Sequence, residues 1–281
     1  MPEFLTVTFI VLAVLAALAT LALILFLLYL LVLVRPGGKE PPDKALSCDY
    51  AHRGLHGDGI PENSLAAFSA ACKAGYGIEL DVQLSRDGEV MVFHDYTLAR
   101  MTGDGRKLSE LTAEELSALR LDGTDQHIPT FAEVLATVNG RVPLLVELKG
   151  ESTDTALCPK VAEMLKSYCG SYCIESFNPL LVRGMQKQLP QAYCGLLYTN
   201  VVRDKHKHDA LHLAITAMAL NCLCKPHFIA FNEVDRNAFP VRLATRLWHA
   251  PKFVWTVRGR EAIDKAHACG ERAIFEYPDR P

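Results

Sequence analysis

Apolar residues divide this chain into a short first part and a long second part. Residues 4–34 form an apolar run without a charged side chain. As a helix this run would measure roughly 46 Å, whereas the hydrocarbon core of a bilayer is about 30 Å thick. It is also longer than the apolar core of a cleaved signal peptide, and no Lys or Arg precedes it. The pattern therefore predicts a retained, tilted membrane-spanning helix over 4–34, followed by a Pro- and Gly-rich linker over 35–46.

Beyond the linker, short apolar runs alternate with stretches of helical period. This alternation predicts strands that pair in parallel and are joined by helices. Eight such strands predict an α/β fold, a closed (β/α)8 TIM barrel over 47–281, with an inserted segment at roughly 86–128 after the second strand. The candidate strands lie at 48–51, 78–82, 144–148, 172–176, 194–197, 228–231, 253–257 and 273–275. The candidate helices lie at 64–74, 130–139, 155–166, 179–188, 210–220, 240–249 and 261–269.

One predicted hairpin, at 77–95, carries acidic residues on a strand that is otherwise apolar. Glu79 and Asp81 alternate with apolar residues, and Asp87-Gly88 predicts a two-residue turn. That turn would place Asp81 opposite His94, so two carboxylates and an imidazole would share one face. A solvated polar face of an antiparallel hairpin is the alternative interpretation.

Other polar residues gather where the predicted strands end. His52 and Arg53 follow the first strand, and Glu147 and Lys149 end the strand at 144–148. The carboxyl ends of the strands are where barrels of this type carry their active sites. An ion pair between Glu147 and Lys149 that only closes the barrel is the alternative.

Five of these side chains suggest a metal site with acid–base groups beside it. Glu79, Asp81 and Glu147 are an oxygen-only donor set, which suits one divalent cation, Mg²⁺ or Ca²⁺. His52 and His94 titrate near neutral pH, so such a pair can give and take a proton in one displacement.

Two cationic side chains add a substrate class. Arg53 offers a planar fork of donors and Lys149 a point charge, and both suit a phosphate group. Together with a divalent cation and two histidines, they predict metal-assisted cleavage of a phosphoester.

Charge and cysteine content bear on the compartment and the partners. Arg35, Lys39 and Lys44 follow the apolar run and Glu3 precedes it, which predicts a single-pass membrane protein with its catalytic domain in the cytoplasm. The nine cysteines are an odd number scattered through a large domain, as in proteins of reducing compartments. A formal net charge of −3 gives no reason to expect nucleic acid as a partner.

A series of short motifs occurs in a fixed order along the second part of the chain. On these motifs the chain resembles the glycerophosphodiester phosphodiesterase family over nearly all of residues 47 to 281. The motifs are His52-Arg53-Gly54, Pro61-Glu62-Asn63-Ser64, Glu79-Leu-Asp81-Val, His94-Asp95, Ile128-Pro-Thr-Phe-x-Glu-Val-Leu135, Glu147-Leu-Lys149, Ser176-Phe177 and Trp255-Thr-Val257.

The resemblance implies a (β/α)8 barrel with one divalent-metal site and histidine acid–base catalysis. It implies further that a glycerol hydroxyl attacks first and that water opens the resulting cyclic phosphate. The implied metal ligands are Glu79, Asp81 and Glu147, the implied acid–base residues are His52 and His94, and the implied phosphate ligands are Arg53 and Lys149, with Glu62 at or beside the metal.

For two residues near the predicted strand ends, the sequence leaves more than one role open. Trp255 could stack on the substrate from the barrel mouth or simply fill the barrel. Glu276 stands where the family usually has Thr-Asp, so the role of that corner is open.

The function predicted is metal-dependent hydrolysis of glycerophosphodiesters to an alcohol and glycerol 3-phosphate. The alternative is a lysophospholipase D or phospholipase C-like enzyme that acts on acylated lipid, such as a lysophospholipid. A small polar mouth would favour the first function, and a deep apolar groove the second. A glycoside hydrolase would not need the two cationic groups. A non-catalytic binding module would have lost one of these residues, and none is missing.

Overall fold

A computed structural model describes residues 2–150 and 152–277. Its strands are β1 Tyr50–Ala51, β2 Gly77–Leu84, β3 Val90–Val92, β4 Leu144–Leu148, β5 Tyr172–Ser176, β6 Tyr193–Tyr198, β7 Phe228–Asn232, β8 Lys252–Arg258 and β9 Arg272–Glu276. All except β3 run parallel, and β1 pairs with both β2 and β9, which closes the barrel. The predicted (β/α)8 fold is confirmed.

Helices surround the barrel and join its strands. They are α1 Pro2–Leu28, α2 Leu65–Ala74, α3 Ala99–Thr102, α4 Ala113–Ser117, α5 Phe131–Val138, α6 Leu157–Lys166, α7 Pro179–Gln188, α8 Val201–Lys205, α9 Ala210–Thr216, α10 Asn221–Cys224, α11 Phe239–Arg242 and α12 Arg260–Ala268. The helix predicted at 210–220 ends earlier, at Thr216, and a separate short helix, α10, begins at Asn221. The one predicted at 240–249 begins as α11 and continues as a π-helix over Leu243–Leu247.

The hairpin of β2 and β3 has a different register from the one predicted. Its loop is three residues long: Ser85 N donates to Glu89 O at 3.0 Å, and only Gly88 in the loop has a positive φ, 81°. A type I turn followed by glycine in the left-handed region gives this geometry. Asp81 therefore lies opposite Phe93, whose N donates to Asp81 O at 3.0 Å, and the predicted pairing of Asp81 with His94 is wrong.

The segment inserted between β2 and α5 carries its own small apolar core. Met91, Phe93, Leu98, Leu116 and Ile128 are among the buried residues that pack together there. This core is separate from the barrel core, so the insertion is a small unit of its own. It borders the barrel mouth, because its residue His94 lines the cavity there.

The barrel interior is filled by apolar side chains below a layer of acids. Leu145, Tyr193, Phe228 and Phe253 belong to the buried interior cluster. Gly195 is required in this layer, because a Cβ on it would lie 2.1 Å from the Phe228 ring. The outward faces of the strands pack on the helices in a second and larger cluster. Because the apolar side chains of the interior cluster fill the barrel, polar side chains have room only at the carboxyl ends of the strands.

The N-terminal helix is long and apolar enough to span a membrane over Phe4–Leu33. Its first part, α1, is exposed, and it continues as a π-helix over Tyr29–Leu33. The end of the apolar run contacts the barrel. Tyr29 packs against the barrel core, and Val34 is fully buried. The excess length of the run is therefore used in packing on the barrel.

Candidate active site

A small cavity opens at the carboxyl ends of the strands. Its volume is about 70 Å³. The residues that line it are His52, Arg53, Glu79, His94, Glu147, Glu175, Phe177, Leu197, Trp255, Thr256 and Ile274. Most of the residues predicted for the site therefore border one space, although they come from distant parts of the chain.

Three buried carboxylates form the floor of the site. Glu79 and Asp81 lie on β2, and Glu147 lies beside Asp81 on β4. Each contributes an oxygen to a group whose ligand atoms all lie within 4.8 Å of one another. Burial, together with the neighbouring carboxylates, raises the pKa of Glu79 well above its usual range. Burial also raises the pKa of Glu147 to about 7, partly offset by the charge of Lys149.

Asp81 is held as the charged member of this group. Burial would raise its pKa, but the charges of Lys149, His94 and Arg53 outweigh burial and lower the pKa. Asn63 Nδ2 donates to Asp81 Oδ2 at 2.9 Å. The other oxygen, Oδ1, is buried and accepts no hydrogen bond from the described part of the chain.

This donor set fits a hard divalent cation. Three convergent carboxylates and a buried oxygen without a hydrogen bond are what Mg²⁺ or Ca²⁺ requires, and water or substrate oxygens complete such a shell. The fit agrees with the predicted ligands but does not distinguish the two ions.

His52 follows β1 and is anchored from both sides. Its N donates to Phe275 O at 2.9 Å, and its Nδ1 lies 2.8 Å from Oε1 of Glu276. With Nδ1–H donated to Glu276, the other ring nitrogen is free to accept a proton, and Nε2 lies 4.0 Å from Glu79 Oε2. Burial lowers the pKa of His52, and the hydrogen bond with Glu276 partly counteracts this effect.

Glu276 thus has a definite place in the site, which the sequence left open. Burial would raise its pKa, but hydrogen bonds with His52 and His56 and the charge of Arg258 outweigh burial and lower the pKa. Arg258 Nε donates to Glu276 Oε2 at 2.8 Å. Glu276 is therefore an anion fixed behind His52.

His94 lines the cavity although the hairpin register predicted for it is wrong. It lies beyond the end of β3. Its Nδ1 is 2.6 Å from Asp95 Oδ1, and Arg100 Nε donates to Asp95 Oδ2 at 2.6 Å. Burial lowers the pKa of His94, partly offset by the charge of Asp81. Both histidines thus pair Nδ1 with a carboxylate.

Two cations border the carboxylates. Arg53 N donates to Glu79 Oε2 at 2.7 Å, and its Nε lies 3.6 Å from Asp81 Oδ2. Lys149 Nζ lies 2.9 Å from Glu147 Oε1 and 3.4 Å from Asp81 Oδ1. The ion pair considered as an alternative is therefore present. It lies in the site itself and does not exclude a role for Lys149 in binding.

Glu62 is separated from the three carboxylates by an arginine. Arg53 Nη1 donates to its Oε1 at 2.8 Å, and Arg100 Nη2 donates to the same oxygen at 2.6 Å. Glu62 therefore holds two arginines in place. It is not part of the group of three carboxylates described above.

Trp255 lines the cavity and is also fixed within the barrel. Its Nε1 donates to Ala230 O at 3.1 Å, and Phe177 meets the ring edge-on at a centroid distance of 5.6 Å. Trp255 thus borders the cavity while its polar edge is hydrogen-bonded inside the barrel, and stacking on the substrate stays a prediction.

Sequence reasoning missed one buried acid, Glu175. It lies beside Glu147 on β5 and is only 1% exposed. Its Oε2 finds no hydrogen-bond partner among residues 2–150 and 152–277, and burial raises its pKa well above the usual range. An acid on the inward-facing position of an apolar strand is the signal that could have identified it.

Known proteins with similar sequences identify the family of this chain. The sequence model of the glycerophosphoryl diester phosphodiesterase family matches residues 52–278. A glycerophosphodiester phosphodiesterase of Bacillus altitudinis is 34% identical over 250 residues, which covers 82% of this chain and 95% of that protein. Lysophospholipase D GDPD1 of Homo sapiens is 33% identical over 136 residues, 44% of this chain and 42% of that protein.

A solved structure supports the fold. A phosphodiesterase of Oleispira antarctica, determined in complex with the product sn-glycerol-3-phosphate, superposes with a TM-score of 0.66 at 22% identity and covers 83% of this chain and 94% of that one. The family model and the 34% identical relative confirm the resemblance recognised from the motifs.

Proposed function

The chain belongs to the glycerophosphoryl diester phosphodiesterase family and is a phosphoric diester hydrolase, and we propose that it cleaves glycerophosphodiesters to an alcohol and glycerol 3-phosphate in a metal-dependent reaction. One observation carries the proposal: three buried carboxylates have ligand oxygens within 4.8 Å of one another, and two of them, Glu79 and Glu147, line the same cavity as His52 and His94. Oxygen ligands beside two imidazoles suit phosphoester cleavage.

Glu79, Asp81 and Glu147 are the proposed ligands of one divalent cation. When bound there, it supplies charge neutralisation at the phosphoryl oxygens. Arg53 and Lys149 border the same carboxylates and are proposed to orient the phosphate through charge-assisted hydrogen bonds.

His52 and His94 are the proposed acid–base pair. In the first step the neighbouring glycerol hydroxyl forms a bond to phosphorus and the bond to the head-group alcohol breaks. One histidine takes the proton of the attacking hydroxyl, and the other donates a proton to the departing alcohol. Water then opens the cyclic phosphate with the roles reversed. Glu276 and Asp95 support this exchange because they hold the Nδ1 atoms and leave Nε2 for the substrate.

A second candidate function is hydrolysis of an acylated lysophospholipid. Phe177 is 40% exposed at the mouth, edge-on to Trp255, and could contact an acyl chain. The similarity to human lysophospholipase D GDPD1 points the same way. Seven of the eleven residues that line the cavity are polar or charged, which favours the glycerophosphodiester as the principal substrate.

The decisive test measures glycerol 3-phosphate released by the full chain in lipid nanodiscs. We expect release from glycerophosphocholine and glycerophosphoethanolamine with Mg²⁺ or Ca²⁺ and none with chelator. Release that persists in chelator would refute metal dependence. Release of choline from lysophosphatidylcholine alone would establish the second candidate in place of the first. That cleavage keeps the acyl chain, so its other product is lysophosphatidic acid rather than glycerol 3-phosphate.

We further propose that the helix over Phe4–Leu33 is retained as a single membrane span with the barrel in the cytoplasm. All nine cysteines are unpaired, as expected in a reducing compartment. A reporter fused to the C-terminus should be active inside the cell only. Activity of the reporter only outside the cell would reverse the orientation.

A further inference from the structure

The N-terminal helix docks along the flank of the barrel in a definite direction. Gly37 N donates to Pro226 O at 2.8 Å, just before the amino end of β7. Asn221 Nδ2 donates to Val34 O at 2.7 Å, and Tyr29 Oη donates to Ala217 O at 2.9 Å. The earlier a residue lies in this segment, the further its partner precedes β7 in the chain, from Pro226 through Asn221 to Ala217.

The last of these contacts lies near the catalytic face. Thr216, the neighbour of Ala217, accepts a hydrogen bond through its O from Tyr198 Oη at 3.1 Å. Tyr198 is the final residue of β6, at the carboxyl end of the barrel. The segment therefore runs antiparallel to the strands, and α1 leaves the barrel on the side where the active site opens.

Exposed apolar side chains concentrate on that same side. Beyond residue 34, and within the residues described, the large apolar side chains that are most exposed fall into two groups. Leu223 and Leu247 lie in α10 and in the π-helix over Leu243–Leu247, next to the docked segment. The other group lies in segments that follow strands β3, β5, β6 and β7 and comprises Tyr96, Phe177, Leu211, Leu213, Val234 and Phe239.

The positions of these residues relative to the rim are set by local contacts. Val234 lies two residues after β7 and is 73% exposed, the highest value among the large apolar side chains described beyond α1. Leu211 and Leu213 lie on α9, whose Thr216 Oγ1 accepts a hydrogen bond from Val202 N, at the start of α8 just after β6. We call Phe177, Leu211, Leu213, Val234 and Phe239 the apolar rim. They lie in segments that follow three neighbouring strands, β5, β6 and β7, and exposed apolar surface gathered at one end of a molecule favours a site of interaction.

The length of α1 and the place where it leaves the barrel indicate which partner the apolar rim contacts. The exposed part of α1, from Phe4 to Leu28, would measure roughly 37 Å, enough to cross a hydrocarbon core of about 30 Å. A bilayer that surrounds α1 would begin beside the rim, because α1 departs there. Aromatic and aliphatic side chains at such a boundary are stabilised in the interfacial layer.

We propose that the apolar rim contacts the lipid leaflet that α1 enters, so that the catalytic mouth faces the membrane surface. The proposal rests on the membrane-spanning role proposed for α1, and it concerns the pose of the barrel rather than its chemistry. Phe177 belongs both to the rim and to the cavity lining, so the lipid surface and the site would be continuous.

Depth-dependent quenching tests this pose without requiring turnover. A fluorophore would be attached to Val234→Cys in the full chain, with the exposed thiols removed by Cys169→Ser and Cys269→Ser. The protein would be placed in phosphatidylcholine nanodiscs with and without spin-labelled lipid. Gln191→Cys is the matched control, because it is exposed and precedes β6 at the opposite end of the barrel. Leu15→Cys, within α1, reports insertion of the helix.

We expect the label at position 234 to be quenched at least twofold more than the label at 191, with position 15 quenched most. Equal quenching at 234 and 191 would overturn the proposed pose. Absence of quenching at 15 would overturn its premise as well. Neither result bears on hydrolysis, so failure of this proposal is distinguishable from failure of the proposed function.

Discussion

The His52→Ala variant is expected to lower kcat for glycerophosphodiester hydrolysis by about 10²–10⁴-fold, the usual contribution of a general acid or base. His52 lines the cavity, and its Nε2 lies 4.0 Å from Glu79 Oε2, so the variant removes a proton carrier without removing a metal ligand. Steady-state kinetics would measure the change, and calorimetry should find metal binding retained. His208→Ala is the control, since His208 is exposed in the loop after α8. A His52→Ala variant that is folded and fully active would exclude the proposed mechanism.

Glu276→Gln extends this prediction to the partner of His52. Glutamine keeps the shape of the side chain but removes the charge 2.8 Å from Nδ1. We expect kcat to fall by roughly 10–100-fold, as for other carboxylates that orient a histidine, with little change in KM. The control is Glu261→Gln, the same change at an exposed position of α12. An equal effect in both variants would show that the loss is not specific to the partner of His52.

Glu79→Gln is expected to weaken binding of Mg²⁺ or Ca²⁺ by at least roughly 100-fold, more than loss of an outer-shell partner costs. Burial and neighbouring carboxylates raise the pKa of Glu79, so the charged form is disfavoured in the metal-free site and an uncharged glutamine should cost no stability there. Calorimetry should therefore find weaker metal binding, while thermal unfolding in chelator should give an unchanged or higher Tm. A lower Tm would indicate that Glu79 is required for folding, and unaltered metal affinity would refute its assignment as a ligand.

The same carboxylates predict how metal affinity depends on pH. The pKa of Glu147 is raised to about 7, so this carboxyl holds a proton below that pH and must release it to bind a cation. The Kd for the metal should accordingly increase as pH falls from 8 to 6, and binding near neutral pH should release protons. Titrations in buffers of different ionisation enthalpy would measure this release. A Kd independent of pH would contradict the raised pKa.

Much of the fold could be read from local pattern. Strands such as β4 and β5 have the bounds predicted for them, because both of their faces are buried and they begin as short apolar runs before an acid near the carboxyl end. The candidate site was readable for a related reason. Charged residues such as Glu147 and Lys149 at the end of an apolar strand are costly to bury, so they stand out against their surroundings.

The register of the β2–β3 hairpin could not be read in the same way. Asp87-Gly88 suits a two-residue turn, yet Ser85 and Glu89 close a three-residue loop. The two turns differ by one residue of register, and turn residues alone do not choose between them. Packing of Met91 and Phe93 in the core of the inserted segment is a tertiary contact that favours the observed register.

By itself, the sequence determined the barrel, the apolar N-terminal helix and most of the side chains around the cavity, because periodicity and the cost of burying charge are local properties. Only the tertiary structure decided which carboxylates face one another, that Glu175 belongs with Glu147, that Glu276 holds His52, and that the end of the apolar run packs on the barrel. These outcomes depend on the pairing of strands and on contacts between residues about 28 to 224 positions apart, such as His52 with Glu276, and no local pattern records such distances.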